Sequence, residues 1–312
     1  MENSANMDAL ADVLKAVRLS ANTYFCTDFN APWGMEIEES KQGVFHVVVE
    51  GACWLKLAKA DEPIQLDTGD IVAFPTGGAH WISDTPNSPK LPGSNVVENI
   101  LNGNNPFQLK EEEAHSSNTL LCGSFRYDSS MDHPFVKDLP CFIHISASES
   151  PENNWLKSLV TVLAAESRQS SPGSTVMVDR LTEVLFIQLM RAYIKSAPNN
   201  MGYIAALADH QIGSALNLIH SESKAYWSVE RLSEAVALSR TAFTLKFSKM
   251  VGMPPKTYLI NWRMQRAKAQ LETSNMPMIN VAENAGYSSE AAFSKAFKLF
   301  FEQPPGQVRR NA

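Results

Sequence analysis

Ser228-Val-Glu-Arg-Leu-Ser-Glu-Ala235-Val-Ala-Leu-Ser239-Arg-Thr-Ala-Phe243-Thr-Leu-Lys-Phe247 has a second version 50 residues further on, Met278-Ile-Asn-Val-Ala-Glu-Asn-Ala285-Gly286-Tyr-Ser-Ser289-Glu-Ala-Ala-Phe293-Ser-Lys-Ala-Phe297. Ser239, Phe243 and Phe247 return as Ser289, Phe293 and Phe297. Ala235 returns as Ala285, Ala242 as Ala292, and Pro254-Pro255 as Pro304-Pro305. Repeated coincidence at one offset marks a single supersecondary unit used twice. In each copy the apolar spacing gives two short helices around a tight turn. Ser228 caps the first helix, with Leu232, Ala235 and Val236 inward, and Ser239 caps the second, with Phe243 and Phe247 inward. In the second copy Pro277 suits a first helical turn, Gly286 makes the turn, and Ser289 caps the second helix.

A capped second helix with a small, polar and basic outer face is the helix-turn-helix plan, and Pro255–Glu272 reads as one long helix joining the two copies. A plain helical bundle is the competing reading. Charge weighs against it: residues 221–312 carry 13 Lys/Arg and 7 Asp/Glu, net +6, whereas residues 1–220 carry 14 and 26, net −12. The overall charge of −6 hides a basic tail suited to phosphate and an acidic body. Arg263, Arg266 and Lys268 on the joining helix either touch phosphates or form a solvated face.

The 312 residues favour two domains, and 44% apolar with 19% charged residues is ordinary globular composition. The start Met1-Glu2-Asn3-Ser4, with no basic residue and no apolar core, does not read as a secretory leader, and no uncharged apolar run is long enough to span a bilayer. Cys26, Cys53, Cys122 and Cys141 show no Cys-x-x-Cys spacing and read as reduced thiols of a cytoplasmic protein. Residues 1–150 read as short strands: Val44–Val49, Trp54–Leu57, Asp70–Phe74, Leu120–Phe125 and Phe142–Ile145. Between them, Asp84–Asn118 reads as a long irregular loop with a short helix near Val96–Leu101 and a charge run at Lys110–Glu113. Residues 151–202 switch to helical spacing and end in the breaker-rich linker Ser196-Ala-Pro-Asn-Asn-Met-Gly202. Residues 203–312 read as helices throughout.

Trp227-Ser-Val-Glu-Arg-Leu232, Ser239-Arg-Thr-Ala-Phe243, Phe247, Gly252-x-Pro254, Tyr258-Leu259, Trp262-Arg263-Met264, Ala267, Gly286-Tyr287, Phe293, Ala296-Phe297 and Arg309 together resemble the AraC/XylS family of transcription regulators. The resemblance covers about Asp209–Arg310. It implies two helix-turn-helix units entering successive major grooves of double-stranded DNA, and RNA polymerase as a further partner. Its base-reading positions fall on Thr241, Thr244 and Leu245, with Arg240 and Lys249 beside them, and on Glu290, Ala291, Ser294 and Lys295. Leu245 stands where relatives often carry Arg or Lys, which favours contact with a thymine methyl. Glu302 stands where relatives usually have Gly, which implies an altered helix end.

The N-terminal region resembles the cupins. Gly69, Pro75-x-Gly77-x-x-His80 and Asp84 match their second motif, with Asp in place of Asn. Phe45-His46-Val-Val-Val-Glu-Gly51-x-x-Trp54-Leu55 is similar to the strand pair before it in cupin-type sensor domains, and Ala31-Pro32-Trp33-Gly34, Cys122-Gly123, His133-Pro134 and Leu139-Pro140 fit the same subgroup. The resemblance implies a small β-barrel around one ligand. Of the metal ligands of enzymatic cupins only His80 is present, because the glutamate position is Val44 and the His-x-His region reads Glu38-Glu39-Ser40.

The expected architecture is therefore α+β: a cupin-like β-barrel, connecting helices, then an all-α domain with two helix-turn-helix units. The expected function is a sequence-specific DNA-binding regulator, an activator, and not an enzyme. The alternative is a cupin-type enzyme with an accessory helical domain. Two inputs remain open: a small effector in a pocket of Trp33, Phe45, His46, Trp54 and His80, or an oxidant or electrophile acting on Cys122 with zinc held by His46, His80 and Cys122. The competing reading makes both histidines buried hydrogen-bonded core residues and Cys122 a small apolar filler. The helices at 152–168 and 175–195 present Leu181 and Leu185 either to the barrel or to a second copy in a homodimer.

Overall fold

In the computed structural model, residues 8–108, 117–127, 133–147, 154–169, 171–196, 202–220 and 227–311 are described. The run Lys110–Glu113 and linker positions 197–201 lie outside them. Ten strands are described: β1 (Ser20–Asn30), β2 (Gly34–Ile37), β3 (Gly43–Glu50), β4 (Ala52–Leu57), β5 (Ile64–Asp67), β6 (Ile71–Phe74), β7 (His80–Ser83), β8 (Leu91–Pro92), β9 (Ser117–Arg126) and β10 (Ile143–Ile145). They pair into two five-stranded sheets, ordered β1-β9-β3-β6-β10 and β5-β4-β7-β2-β8. The expected closed barrel is thus a two-sheet sandwich, since among the described residues no ladder joins the edge strands of one sheet to those of the other. Between the sheets, Phe25, Phe29, Trp33, Met35, Leu55 and Phe74 are among the side chains that form one apolar core.

Local chemistry explains the second-motif residues. Gly77 has φ +72°, and a Cβ there would meet the Ser40 carbonyl at 2.3 Å. The turn it makes, closed by its N–H on the Phe74 carbonyl at 2.9 Å, ends β6 and starts β7 at His80. Asp84 accepts from the Trp33 N–H at 3.1 Å, which ties the end of β7 to the start of β2. The helices are α1 (Ala9–Ala16), α2 (Gly93–Leu101), α3 (Pro134–Lys137), α4 (Asn154–Arg168), α5 (Ser174–Ser196), α6 (Tyr203–Ala208), α7 (His210–His220), α8 (Val229–Ala235), α9 (Arg240–Val251), α10 (Pro255–Thr273), α11 (Met278–Asn284), α12 (Glu290–Phe301) and α13 (Pro305–Asn311).

The described residues fall into two compact units. One comprises Arg18–Ser129 and Leu139–Ser196, the sandwich with α2, α4 and α5. In it Leu185 of α5 is 0% exposed and Phe186 packs edge-on to Phe125 of β9 at 4.7 Å. The face carrying Leu185 is therefore core, which removes it as a surface for a second copy. The other unit gathers the described parts of Met1–Val17, Ser130–Asp138 and Ala197–Ala312. Two segments from the first half of the chain belong to it: α1, which packs on α7 and α10, and α3, which packs on α6.

A buried polar cluster holds these pieces together. The Phe135 N–H donates to His133 Nδ1 at 3.1 Å, so the proton of that ring sits on Nε2 and is donated to the Tyr258 hydroxyl at 3.2 Å. His220 Nε2 and the Tyr203 hydroxyl each lie 2.7 Å from the same oxygen. Trp262 stacks on His220 with centroids 3.8 Å apart, and burial pulls the His220 ring down to about 3 so that it stays neutral.

Candidate functional site

The repeat reads directly into geometry. Ser228, Ser239 and Ser289 accept from the backbone N–H groups of Arg231, Ala242 and Ala292 at 3.2–3.3 Å, capping α8, α9 and α12. Each turn closes with an i to i−5 bond, Leu238 N–H to Ser233 O at 2.9 Å and Tyr287 N–H to Ala282 O at 2.8 Å. The second turn has one extra residue, Ser288, before the capping serine. Phe243 and Phe247 have centroids 5.5 Å apart, Phe293 and Phe297 5.4 Å, and all four are fully buried. Each such ring contributes about 2–3 kcal/mol by burial, which fixes α9 and α12 with their opposite faces outward.

On those faces Arg240, Thr241, Leu245 and Lys249 of α9, and Glu290, Ala291 and Lys295 of α12, are exposed; Thr244 and Ser294 are half-buried. Arg240 pairs with Glu230 at 3.0 Å across an exposed surface, an interaction of small energy. Lys246 is held by Asp209 at 2.8 Å and Gln211 at 3.0 Å, which brings α7 against α9. Of the cations on α10, Arg263 donates to the Trp227 carbonyl at 2.8 Å, and Lys268 lies over the Phe301 ring and 3.9 Å from Glu272. The expected change at the end of α12 does not occur. Glu302 adopts the same left-handed cap, φ +60°, as Gly252 at the end of α9, φ +81°.

In the sandwich, His46 on β3, His80 on β7 and Cys122 on β9 come together between the sheets. His46 Nδ1 lies 3.1 Å from Cys122 Sγ, His46 Nε2 lies 2.8 Å from His80 Nε2, and His80 Nδ1 lies 2.8 Å from the Gly78 carbonyl. Because the carbonyl only accepts, His80 carries its proton on Nδ1. His80 Nε2 then accepts from His46 Nε2–H, and His46 Nδ1 accepts from the Cys122 thiol. Burial lowers the His46 pKa and takes that of His80 down to about 4, and it raises that of Cys122, so all three groups are neutral. Phe74 stacks on His80 at 3.6 Å.

This arrangement does not fit the expected zinc site. Cys122 and His80 face opposite nitrogens of the His46 ring, so the three donors do not converge on one point. Among the described residues no group of three His, Cys, Asp or Glu side chains does. The expected pocket is also divided. Trp33 is in the core with its Nε1–H on Asn118 Oδ1 at 2.9 Å. Phe45, one residue out of phase with His46, lies on the other face of its sheet and stacks on Phe125 at 4.9 Å. Trp54 alternates with the inward Cys53 and Leu55 and so points outward.

An open cavity of about 570 Å³ lies in the sandwich unit, lined by Tyr24, Ile37, Val44, Val97, Glu98 and Ser124 among others. Val44 is two residues before His46 on β3, Ser124 two beyond Cys122 on β9, and Ile37 pairs with His80. Strand periodicity thus places the neutral His46–His80–Cys122 chain one side-chain layer below the cavity floor. Sequence reasoning missed this cavity: it expected a short helix near Val96–Leu101, but nothing local places that helix, α2, against β1 and β2. It also missed the Tyr258 cluster: His133, Tyr258 and Trp262 stood among the family-like residues, but nothing local brought them together with Tyr203 and His220.

Comparison with known proteins agrees with both halves. A family model described as Cupin matches residues 8–195, and one described as Helix-turn-helix domain matches residues 232–311. The HTH-type transcriptional regulator AlkR of Acinetobacter baylyi is 28% identical over 98% of this chain and 100% of its own length. The RCS-specific HTH-type transcriptional activator RclR of Escherichia coli is 25% identical over 85% of this chain and 83% of its own. Among solved structures, the C-terminal domain of the response regulator yesN from Fusobacterium nucleatum is 27% identical, covers 32% of this chain and 99% of its own, and has a TM-score of 0.31. No helix among the described residues is long and apolar enough to cross a membrane. The chain belongs to the AraC/XylS family of DNA-binding transcription regulators, with an N-terminal cupin domain and a C-terminal helix-turn-helix domain.

Proposed function

We propose that this regulator is controlled by a small organic effector bound in the cavity above the His46–His80–Cys122 chain, and that it acts as a cytoplasmic activator working with RNA polymerase. The observation that carries the reading is a roomy, mixed polar and apolar cavity whose floor rests on the polar groups of an otherwise apolar core. Among the described residues its lining holds Glu98 and no Lys, Arg or His, which favours neutral or cationic molecules over carboxylates. Input by thiol oxidation is the weaker mode. The Cys122 thiol is 3% exposed and hydrogen-bonded to a neutral ring, with its pKa raised, whereas oxidation needs an accessible thiolate. DNA contact is assigned to Arg240, Thr241, Thr244, Leu245 and Lys249 on α9 and to Glu290, Ala291, Ser294 and Lys295 on α12. Any homodimer uses a surface other than that of Leu185.

The test is a thermal-shift screen of the full chain against neutral, cationic and carboxylate compounds, followed by DNA binding. Val44→Trp, which fills the cavity, is expected to abolish both the shift and the effector-dependent change in DNA affinity. A hit that shifts Val44→Trp as it shifts wild type would remove the cavity as the site. Loss of the response in Cys122→Ser to hypochlorite, with no small-molecule hit, would restore the redox mode.

A further inference from the structure

A second recess in the sandwich unit shares no lining residue with the cavity beside Val44, and its charge is opposite. It is a groove of about 390 Å³ between α4 and the strand ends of one sheet. Leu156, Val160 and Ala164 recur at i, i+4 and i+8 on α4 and form one buried wall. Ile71 of β6 and Ile145 of β10 contribute to the other. They are direct cross-strand partners, and Ile71 alternates with Val72, which lies in the core between the sheets. Both isoleucines therefore point out of the sandwich, toward α4. Small residues, Ala164, Ala147 and Gly69, line the groove where larger ones would fill it.

Charge sits at the rim. Among the described residues that line the groove there are two cations, Lys157 and Arg168, and no Asp or Glu. Arg168, at the C-terminal end of α4, is already engaged: it donates to Asp28 Oδ1 at 2.6 Å and to the Thr119 hydroxyl at 3.2 Å. It is a fixed wall, which leaves Lys157, exposed at the other end beside Leu156, as the cation that meets a ligand. From Leu156 to Ala164 the helix runs about 12 Å, the length of an extended chain of about ten carbons. We propose that this groove binds a free medium-chain carboxylate, its tail along Val160 and Ile71 and its carboxylate at Lys157, as a second ligand site of the cupin domain. An uncharged apolar molecule leaves the lysine unused, and a cation meets two like charges.

The experiment titrates decanoate, 1-decanol and decyltrimethylammonium into the full chain by calorimetry, in the soluble and non-micellar range, with octanoate and hexanoate as shorter probes. Decanoate is expected to bind, and affinity to fall by up to about fourfold for each methylene removed, the effect of one buried CH2. 1-Decanol should bind about fivefold more weakly and the ammonium more weakly still, as one partly exposed ion pair allows. Lys157→Glu reverses the charge on an exposed helix face, and should cost decanoate about tenfold while leaving 1-decanol unchanged. Thr161→Trp sets a ring over the groove from an exposed position and should abolish binding of both. With decanoate bound, hydrogen exchange should slow in residues 143–147 and 156–168 and not in 93–102. No decanoate binding, equal affinity for acid and alcohol, or a Lys157→Glu variant that binds decanoate as wild type does would overturn the proposal. So would protection at 93–102 in place of 156–168, which would put the acid in the other cavity.

Discussion

Acidification from pH 7 to pH 5 is expected to loosen the sandwich unit through His46 and His80. Both rings are neutral in the folded chain, and burial holds His80 at about 4 and His46 well below its ordinary range. In the unfolded chain each ring protonates near pH 6.5, as an unperturbed histidine does. Between roughly pH 6.5 and pH 4 the unfolded state therefore binds more protons than the folded one, and stability rises with pH. The stabilisation is complete above pH 6.5 and is lost as pH falls toward 4. From pH 7 to pH 5 one such ring forfeits about 2 kcal/mol, and the pair about 4 kcal/mol, a large share of the ~5–15 kcal/mol that holds a domain folded. Hydrogen exchange of the full chain, followed by mass spectrometry on peptides from β3 and β7 and corrected for intrinsic rates, measures this directly. Protection in those peptides should fall about 1,000-fold in wild type and about 30-fold in His46→Gln, which keeps an amide donor and acceptor but no titrating ring. The His144–Asp70 pair, 3.1 Å apart in the same unit, is common to both proteins and cancels in the difference. Equal pH dependence in wild type, His46→Gln and His80→Gln would refute the reasoning.

Four further outcomes follow from packing and backbone geometry. Tyr258→Phe leaves His133, His220 and Tyr203 without their shared buried oxygen and should destabilise the DNA-binding unit by about 2–3 kcal/mol in urea unfolding, with faster exchange in residues 133–137. Gly123→Ala would drive a Cβ to 2.3 Å from the Asn22 carbonyl and 2.5 Å from the Phe45 ring, and should lower sandwich stability by about 2–4 kcal/mol, read by thermal melting. Glu302→Gly removes a side chain held at φ +60° and should raise the melting temperature of the DNA-binding unit through a gain of about 1 kcal/mol. Leu185→Glu places a carboxylate in a fully buried site and should melt the sandwich unit, seen by circular dichroism, at a loss of more than about 3 kcal/mol.

The helix-turn-helix units were legible almost throughout, the exception being Ala235, expected inward, which is exposed while Ser233 is buried. Caps, turns and the Phe243–Phe247 and Phe293–Phe297 faces are set within a few residues of chain, by hydrogen bonds and spacing that local sequence specifies. The same locality made His46 readable as inward, since it shares a strand face with Val44. Phe45 beside it was misplaced because two apolar faces of one strand look alike until a second layer, here α5, covers one of them. Leu185 was ambiguous for the same reason: an apolar helix face does not say what it packs on. The meeting of His46, His80 and Cys122, the proton order along them and the failure of the three to converge on a metal depend on strands that are distant in sequence and adjacent only in the sheets. The inclusion of α1 and α3 in the DNA-binding unit likewise rests on long-range bonds, Ala9 N–H to Asn217 at 2.8 Å and His133 to Tyr258 at 3.2 Å, that no local pattern encodes. Short-range periodicity determined the elements and the family of this chain. Tertiary packing decided which buried groups are charged, which faces are free and where a ligand has room, because burial, which sets all three, is a property of neighbours brought together by the fold.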